Sequence, residues 1–411
     1  MNDALLELLS ERLVERINQA NIVFLKKIGG YIKQIKDLTP TQAQQLVQIL
    51  KYNGNYEEIL KEISRLTGIN TQEIDTIFKE YAKKDQYFYK QFYEYRNLPF
   101  VPFEQNLALK RQTEALANIS KQTMANFTRS RALGYSLSDV NGNIRFYGLR
   151  ETYEKVLDEA LLNVGQGKDT FDSQMSKILK ELGGSGLKTL DYASGRSIRL
   201  DSMVRMHLKS GLRELHNENQ RLLGEEFGAN GVEISVHQYP AEDHQDAQGK
   251  QFTYDEFVNL QNTGIAKTVD DEEINIHLFD KEGNQALTHR PISEYNCYHY
   301  AFSIVVGVSK PQYSKEQLDK IIKDNNKGFE LDGKHYSMYD GTQLQRKLEL
   351  EIRKAKDTQI LAKESNDNEL IYNSQRRITE LTRSYKELSD ISGLPTKAKR
   401  LKVSGYKRVR I

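Results

Sequence analysis

The stretch that decides the reading of this chain runs from Val232 to Pro311 and falls into two polar blocks separated by a loop. The first begins Val-Glu-Ile-Ser-Val-His-Gln-Tyr-Pro, Val232 to Pro240, and continues through Glu242-Asp243-His244-Gln245-Asp246-Ala247-Gln248-Gly249-Lys250-Gln251-Phe252. The second holds His289-Arg290-Pro291 and Asn296-Cys297-Tyr298-His299-Tyr300, then an apolar run to Gly307 and Ser309-Lys310-Pro311. Val232, Ile234 and Val236 alternate with Glu233, Ser235 and His237, the period of a half-buried strand. Tyr254 to Leu260 reads as a short helix and Phe302 to Val308 as a buried strand or the end of one. The stretch therefore forms a small α+β module, and the only cysteine of the protein sits inside it.

Around this module the chain is helical and polar. Its 411 residues and 47.5 kDa suffice for a sizeable core, yet 28% of the residues are charged and 38% hydrophobic, which points to elongated helical parts with much exposed surface. A net charge of +2 excludes a molecule that grips nucleic acid over its whole surface. One cysteine excludes an intramolecular disulfide and suits a reducing compartment. The apolar residues of the first forty positions are interrupted at helical spacing by Glu7, Glu11, Arg12, Glu15 and Arg16. This pattern predicts an amphipathic helix, neither a secretion signal nor a membrane span.

The fold class expected is α+β, predominantly α-helical, with extended helical N- and C-terminal regions around the central module. Residues 1–135 form the first region. Thr39-Pro40 caps a helix over Gln42 to Tyr52, and Asn70 with Glu73 makes a capping box before Ile74 to Tyr81. The dense aromatic run Tyr87, Phe88, Tyr89, Phe92, Tyr93, Tyr95, Phe100, Phe103, broken by Pro99 and Pro102, reads as a local core or as a docking surface. Residues 136–228 open with a turn at Asn141-Gly142-Asn143. They carry helices from Leu149 to Val164, from Thr170 to Leu182 and from Ile198 to about Phe227, the first ended by Gly165-x-Gly167 and the second by Gly183-Gly184-Ser185-Gly186. These glycines end helices and no Gly-Lys-Ser/Thr follows, which excludes a phosphate-cradling loop. Residues 229–312 are the α+β part. Residues 313–411 open with a helix capped by Ser314 and Gln317, continue as an antiparallel pair, Gln343 to about Lys363 and Glu369 to about Leu388, and end in a basic tail after Gly393-x-Pro395.

His244, Cys297 and His299, with His289, are the residue types that coordinate zinc. Only Cys297 and His299 are close in sequence, without the paired spacing of a zinc signature, although on a strand the single intervening residue puts both on one face. The reading preferred from sequence is a hydrogen-bonded clasp of His237, His244, Gln248, Gly249, Lys250, Asn296, Cys297 and His299, with no bound metal or other cofactor. A thiol enzyme built on Cys297 with His299 or His289 has no supporting oxyanion signature, so no catalytic residue is assigned. Asp243, Asp246 and the run Asp270-Asp271-Glu272-Glu273, in the loop between Gly264 and Gly283, lack the ligand spacing of a calcium loop. Lys397, Lys399, Arg400, Lys402, Lys407, Arg408 and Arg410 stand in the tail without an acid, beside Tyr406, and are the candidate DNA contacts.

The order of these pieces resembles the phage minor capsid protein 2 family, a relative of the Mu F-like head morphogenesis proteins. The resemblance covers about residues 147–312. It rests on the helix after Gly167, Gly186-Leu187-x-x-Leu190-Asp191-Tyr192-x-Ser194-Gly195-Arg196, Met203-Val204-Arg205, the Val232 to His237 strand, Gln248-Gly249-Lys250-x-Phe252 and Asn296-Cys297-x-His299. Tyr298 stands where the family usually has a basic residue, and the His244 block lacks a cysteine common in relatives. What the resemblance implies is a low-copy, non-enzymatic structural protein of a tailed-phage head. Such a protein is made in the bacterial host cytoplasm and joined to the portal protein at the head vertex, with possible contacts to the major capsid or scaffold protein and to packaged DNA, and with no membrane. Two alternatives stay open: a DNA-binding ejection protein, and a toxin or transferase domain carried in the head. Portal docking is assigned to the N-terminal region, treated as separable from the rest, or else to the C-terminal helical pair.

Overall fold

The computed structural model describes residues 3–68, 71–95, 97–164, 166, 168–191, 195–279, 284–293 and 297–410. It is 63% helical with small antiparallel sheets, the α+β, mainly helical class expected. The chain gathers into two compact units, each assembled from separated segments. One contains Met1–Leu9, Asn70–Lys121 and Met206–Thr342; the other contains Ser10–Ile69, Gln122–Arg205 and Gln343–Ile411.

In the second of these units, a helix over Asp3–Lys36 supplies the core residues Leu13, Ile17, Phe24, Leu25, Ile28 and Ile32. The stretch from Leu13 to Ile32 is thus part of this unit's core. Thr39 caps Pro40–Tyr52, as its sequence implied, and Gln42 completes a capping box with it. A helix over Asn55–Thr67 went unrecognised, as did the sheet that follows. Leu133–Ser138 is its inner strand, paired with Ile144–Gly148 and with Lys188–Leu190, which in turn pairs with Ser197–Arg199. Asn141-Gly142-Asn143 is the turn of the first hairpin: the Asp139 carboxylate accepts from the Asn141 and Asn143 amides, and Gly142 takes φ +81°. The helix expected from Thr170 runs from Lys168 to Ser185, so Gly183 and Gly184 are helical. Gly183 leaves room for Thr358, whose Cα would lie 2.5 Å from an added Cβ.

The C-terminal pair is antiparallel, Met338–Glu364 against Asn368–Ser392, and its rungs are regular: Gln345 with Ser389, Tyr385 with Glu349, and Gln359 with Gln375. Ile352, Ile378, Leu381 and Tyr385 fill the seam. The basic tail folds back on this pair. Lys397 N–H donates to the Tyr385 hydroxyl, Arg353 and Lys356 donate to the Arg400 and Leu401 carbonyls, and Val409 N–H donates to Gln375. Arg400 is buried beside Glu349, at 3.6 Å, whereas Lys397, Lys399, Lys402, Lys407, Arg408 and Arg410 are exposed.

A buried charge cluster closes this unit. Arg199 Nη2 lies 3.0 Å from Asp357 and its Nε 3.2 Å from Asp201, while Arg353 Nε stands 3.4 Å from Asp201. Burial opposes charge on both acids. At Asp201 the three arginines 199, 353 and 205 outweigh it and hold the carboxyl well below the usual range; at Asp357 burial wins and pushes the pKa up to about 6. Asp201→Asn is therefore expected to cost about 3 kcal/mol or more at neutral pH, because it strands buried guanidinium charge, and Asp357→Asn clearly less. Urea unfolding midpoints of the two variants check this, and equal losses contradict it.

In the other unit, helix Thr71–Tyr95 lies against the part of Leu200–Glu226 from Met206 onward, whose Asn217 and Gln220 hydrogen-bond to Ala301 and Ser303 of the α+β module. The capping residue expected at Asn70 lies outside the described residues. Tyr93 is buried between the Phe100 and Phe227 rings and donates to Glu226 at 2.6 Å, so part of the aromatic run is core; Tyr87 is exposed. The module's sheet has Gly231–Ile234 in the middle, between Ala301–Ile304 and Gln251–Thr253. Being central, this strand is buried on both faces, which corrects the half-buried reading. Glu233 is enclosed and accepts from Gln251 Nε2 and the Gln312 amide. Val232, Ile234, Phe252, Leu260, Ile274, Ile276 and Ile292 form its core. The helix begun at Tyr254 runs to Thr263, and Ser314 with Gln317 caps Lys315–Lys327 through a complete capping box. The strand expected to reach Val308 ends at Ile304, where Val305 N–H turns to the Ser309 hydroxyl.

A candidate metal centre in the central module

Gln248 organises the site. The chain leaves the Gly231–Ile234 strand, loops through a short helical turn at Glu242–His244, and returns at Gly249, whose amide donates to the Ile234 carbonyl at 2.8 Å. Gly249 takes φ +70°, and a Cβ there would meet Leu318 at 2.6 Å, so both backbone and packing demand glycine. The turn holds the Gln248 side chain buried, with its Oε1 accepting from the His237 amide at 3.0 Å and facing His299 Nε2 at 3.4 Å. Lys250, by contrast, points outward and pairs with Glu272.

The second strand of polar residues arrives through Cys297–Tyr300, an extended segment that leads into Ala301–Ile304. Tyr300 N–H donates to the Ser235 hydroxyl and Ser235 N–H to the Tyr300 carbonyl, so the alternation of the sheet continues into it. Cys297 and His299 consequently face the same interior, while Tyr298 lies under the Arg213 guanidinium, 4.7 Å from its ring centre.

There the structure brings together His244, Cys297 and His299, whose ligating atoms all lie within 4.8 Å of one another. Cys297 Sγ is 3.3 Å from His244 Nδ1 and 3.5 Å from His299 Nδ1. The sulfur also accepts two backbone amides, Ser293 at 3.3 Å and His299 at 3.4 Å. Ser293 holds φ +70°, an uncommon value for a side chain with a Cβ, and donates its hydroxyl to the His299 carbonyl at 2.7 Å. His244 Nε2 donates to the Arg290 carbonyl at 2.6 Å, and the Arg290 guanidinium pairs with the buried Asp243 at 2.8 Å. Sequence reasoning missed Ser293, which nothing in its local pattern marks, and weighed Asp243 only as an oxygen ligand and not as the partner of Arg290.

Other expected members fall elsewhere. His237 is half-buried, its ring edge-on to His299 and its Nε2 on the Tyr298 carbonyl. His289 contacts the Gln261 carbonyl at 2.9 Å and the His277 ring, away from the group. Asn296 lies outside the described residues, as do Gly165, Gly167, Tyr192, Ser194 and Gly283. A second enclosed polar set in the same unit, His216 on Asp85 at 2.6 Å with Asn219 on the other carboxylate oxygen at 3.2 Å, was also unforeseen.

The electrostatics are those of a neutral group. Burial pushes the Cys297 thiol up, against the pull of the two amides, and burial pushes His299 well below and His244 below the ordinary imidazole value. A thiol nucleophile needs the reverse, a lowered thiol next to a charged imidazole at an open surface. Cys297 is only 2% exposed. Gln248→Leu, which removes the acceptor for the His237 amide and for His299 Nε2–H, is expected to cost about 1–3 kcal/mol. Denaturation followed by tyrosine fluorescence, convenient because the chain has no tryptophan, measures it; an unchanged midpoint contradicts this arrangement.

A family model described as phage minor capsid protein 2 matches residues 1–390. No curated protein and no solved structure matches.

Proposed function

From the premise that the chain belongs to the phage minor capsid protein 2 family, and is therefore a structural component of a phage capsid, we propose that it works at the portal vertex of the head, in assembly or in DNA packaging and ejection. The observation that carries this is the family match over 1–390, nearly the whole chain. The enclosed, neutral state of Cys297 and its histidines favours a structural over an enzymatic role for the module. No described helix is long and apolar enough to cross a membrane.

The docking surface for the portal is assigned to exposed apolar side chains of the segments that follow residue 70, among them Tyr87, Val101 and Leu107. Large side chains held in water on a folded surface gain by burial against a partner groove. Truncating the N-terminal region is unsuitable as a test, since it removes core residues such as Phe24 and Ile28. The combined variant Tyr87→Ser, Leu107→Ser is expected to stay folded and to weaken co-sedimentation with assembled portal rings by roughly tenfold or more. Undiminished co-sedimentation removes this surface from the reading.

Contact with packaged DNA is the second part of the proposal, supported by the exposed cations Lys397, Lys399, Lys402, Lys407, Arg408 and Arg410. A groove of about 740 Å³ in the same unit adds Lys177, Lys180 and Arg377. Arg400 is left out of the contact set, being buried on Glu349. Replacing the six exposed tail cations by glutamine, with Arg400 kept, is expected to abolish most of the low-salt gel shift of random-sequence duplex DNA, whereas the unchanged protein loses its shift steeply as salt rises. Equal binding by both proteins leaves a purely protein-binding component.

A further inference from the structure

We propose that His244, Cys297 and His299 bind a zinc ion that clasps the loop after the Gly231–Ile234 strand to the segment entering Ala301–Ile304. Arg290's carbonyl can only accept, so His244 carries its hydrogen on Nε2. Gln248 Oε1 is identified as oxygen by the His237 amide it accepts, so His299 also carries its hydrogen on Nε2. Both Nδ1 atoms then present bare lone pairs to Cys297 Sγ, at 3.3 and 3.5 Å. A thiol has one hydrogen and can satisfy one of them. The other approach sets a lone pair against sulfur inside a closed core, on a sulfur already accepting two amide hydrogens. A hydrogen-bonded clasp alone does not explain that geometry; a cation between the three atoms does.

The two sulfur–nitrogen distances, 3.3 and 3.5 Å, agree with this. Zinc bonds of about 2.3 Å to sulfur and about 2.0–2.1 Å to nitrogen place tetrahedral sulfur and nitrogen ligands roughly 3.5 Å apart. Each imidazole donates its far nitrogen to an oxygen, the arrangement that orients metal-bound histidine, and amide hydrogens on sulfur are what a metal-bound thiolate accepts. Gln248 Nε2 is buried without a hydrogen-bond acceptor among the described residues, an orphan on the same side chain. Neutral histidines are ready to ligate, while the thiol must give up its proton to solvent as zinc takes its place. No fourth histidine, cysteine or carboxylate joins the group among the described residues, so the remaining position falls to water. The Tyr298 side chain faces Arg213 and not the cluster.

The test uses the full-length chain without a histidine tag. Elemental analysis is expected to find stoichiometric zinc, and a strong chelator is expected to remove it while lowering the melting temperature. Cobalt added to the stripped protein is expected to give a thiolate-to-cobalt charge-transfer band together with tetrahedral visible bands. Cys297 is the only cysteine, so that band reports this site and no other. Cys297→Ser is expected to abolish it, and Gln248→Leu to weaken zinc affinity by about 10–100-fold. Folded protein, checked by circular dichroism, that gives no thiolate band with cobalt overturns the proposal. So does zinc content unchanged in Cys297→Ser. Should either variant fail to fold, the cobalt spectrum of the unaltered chain decides alone.

Discussion

The Arg199 guanidinium, enclosed by the Asp201 and Asp357 carboxylates, is the interaction on which the larger helical unit depends. It ties the end of a short strand and the start of the helix after it to the middle of the C-terminal helical pair. Two buried carboxylates that repel each other are held together by the guanidinium between them, and removing it would leave both buried without that partner. Close packing around Arg199 leaves no slack: a Cβ at Gly186 would stand 2.3 Å from its Nη1. A chain that is 28% charged thus builds an interior partly out of matched polar groups, and the same constraint governs Gln345, Glu349 and Gln359 along the helical pair.

Much of the helical architecture was legible because periodicity and caps are local. Thr39 with Pro40 and Ser314 with Gln317 specify helix starts within four residues, and both are used as written. The three-residue strands were not legible, since Lys188–Leu190 and Ser197–Arg199 are too short to show a period and exist only because Leu133–Ser138 lies alongside. The same limit hid the burial of Glu233: alternation identifies a strand, but only its neighbours decide how many faces are covered.

The site was legible in its membership and not in its geometry. Cys297, His299, His244 and Gln248 stand out by residue type in the sequence. Their convergence depends on a turn at Gly249 and on backbone amides from Ser293, which no side-chain pattern encodes. Tautomers are less visible still, because they follow from which backbone carbonyl happens to face a ring. For the tail the sequence displayed charge correctly and concealed that Arg400 turns inward, since a partner such as Glu349 lies far off along the chain.

The division of the chain has a consequence for how the protein is made. Each compact unit is closed by a segment from the far side of the other's sequence: the unit that begins with Ser10 includes Gln343–Ile411. Its first helix therefore leaves the ribosome long before the helical pair that covers it. During that interval Phe24, Leu25 and Ile28, which end fully enclosed, have no finished core to enter. Closing so long a loop slows folding more than it costs stability. The nascent chain thus spends most of its synthesis with apolar helix faces uncovered, a period in which chaperones or an assembly partner present in the infected cell can engage it before it closes.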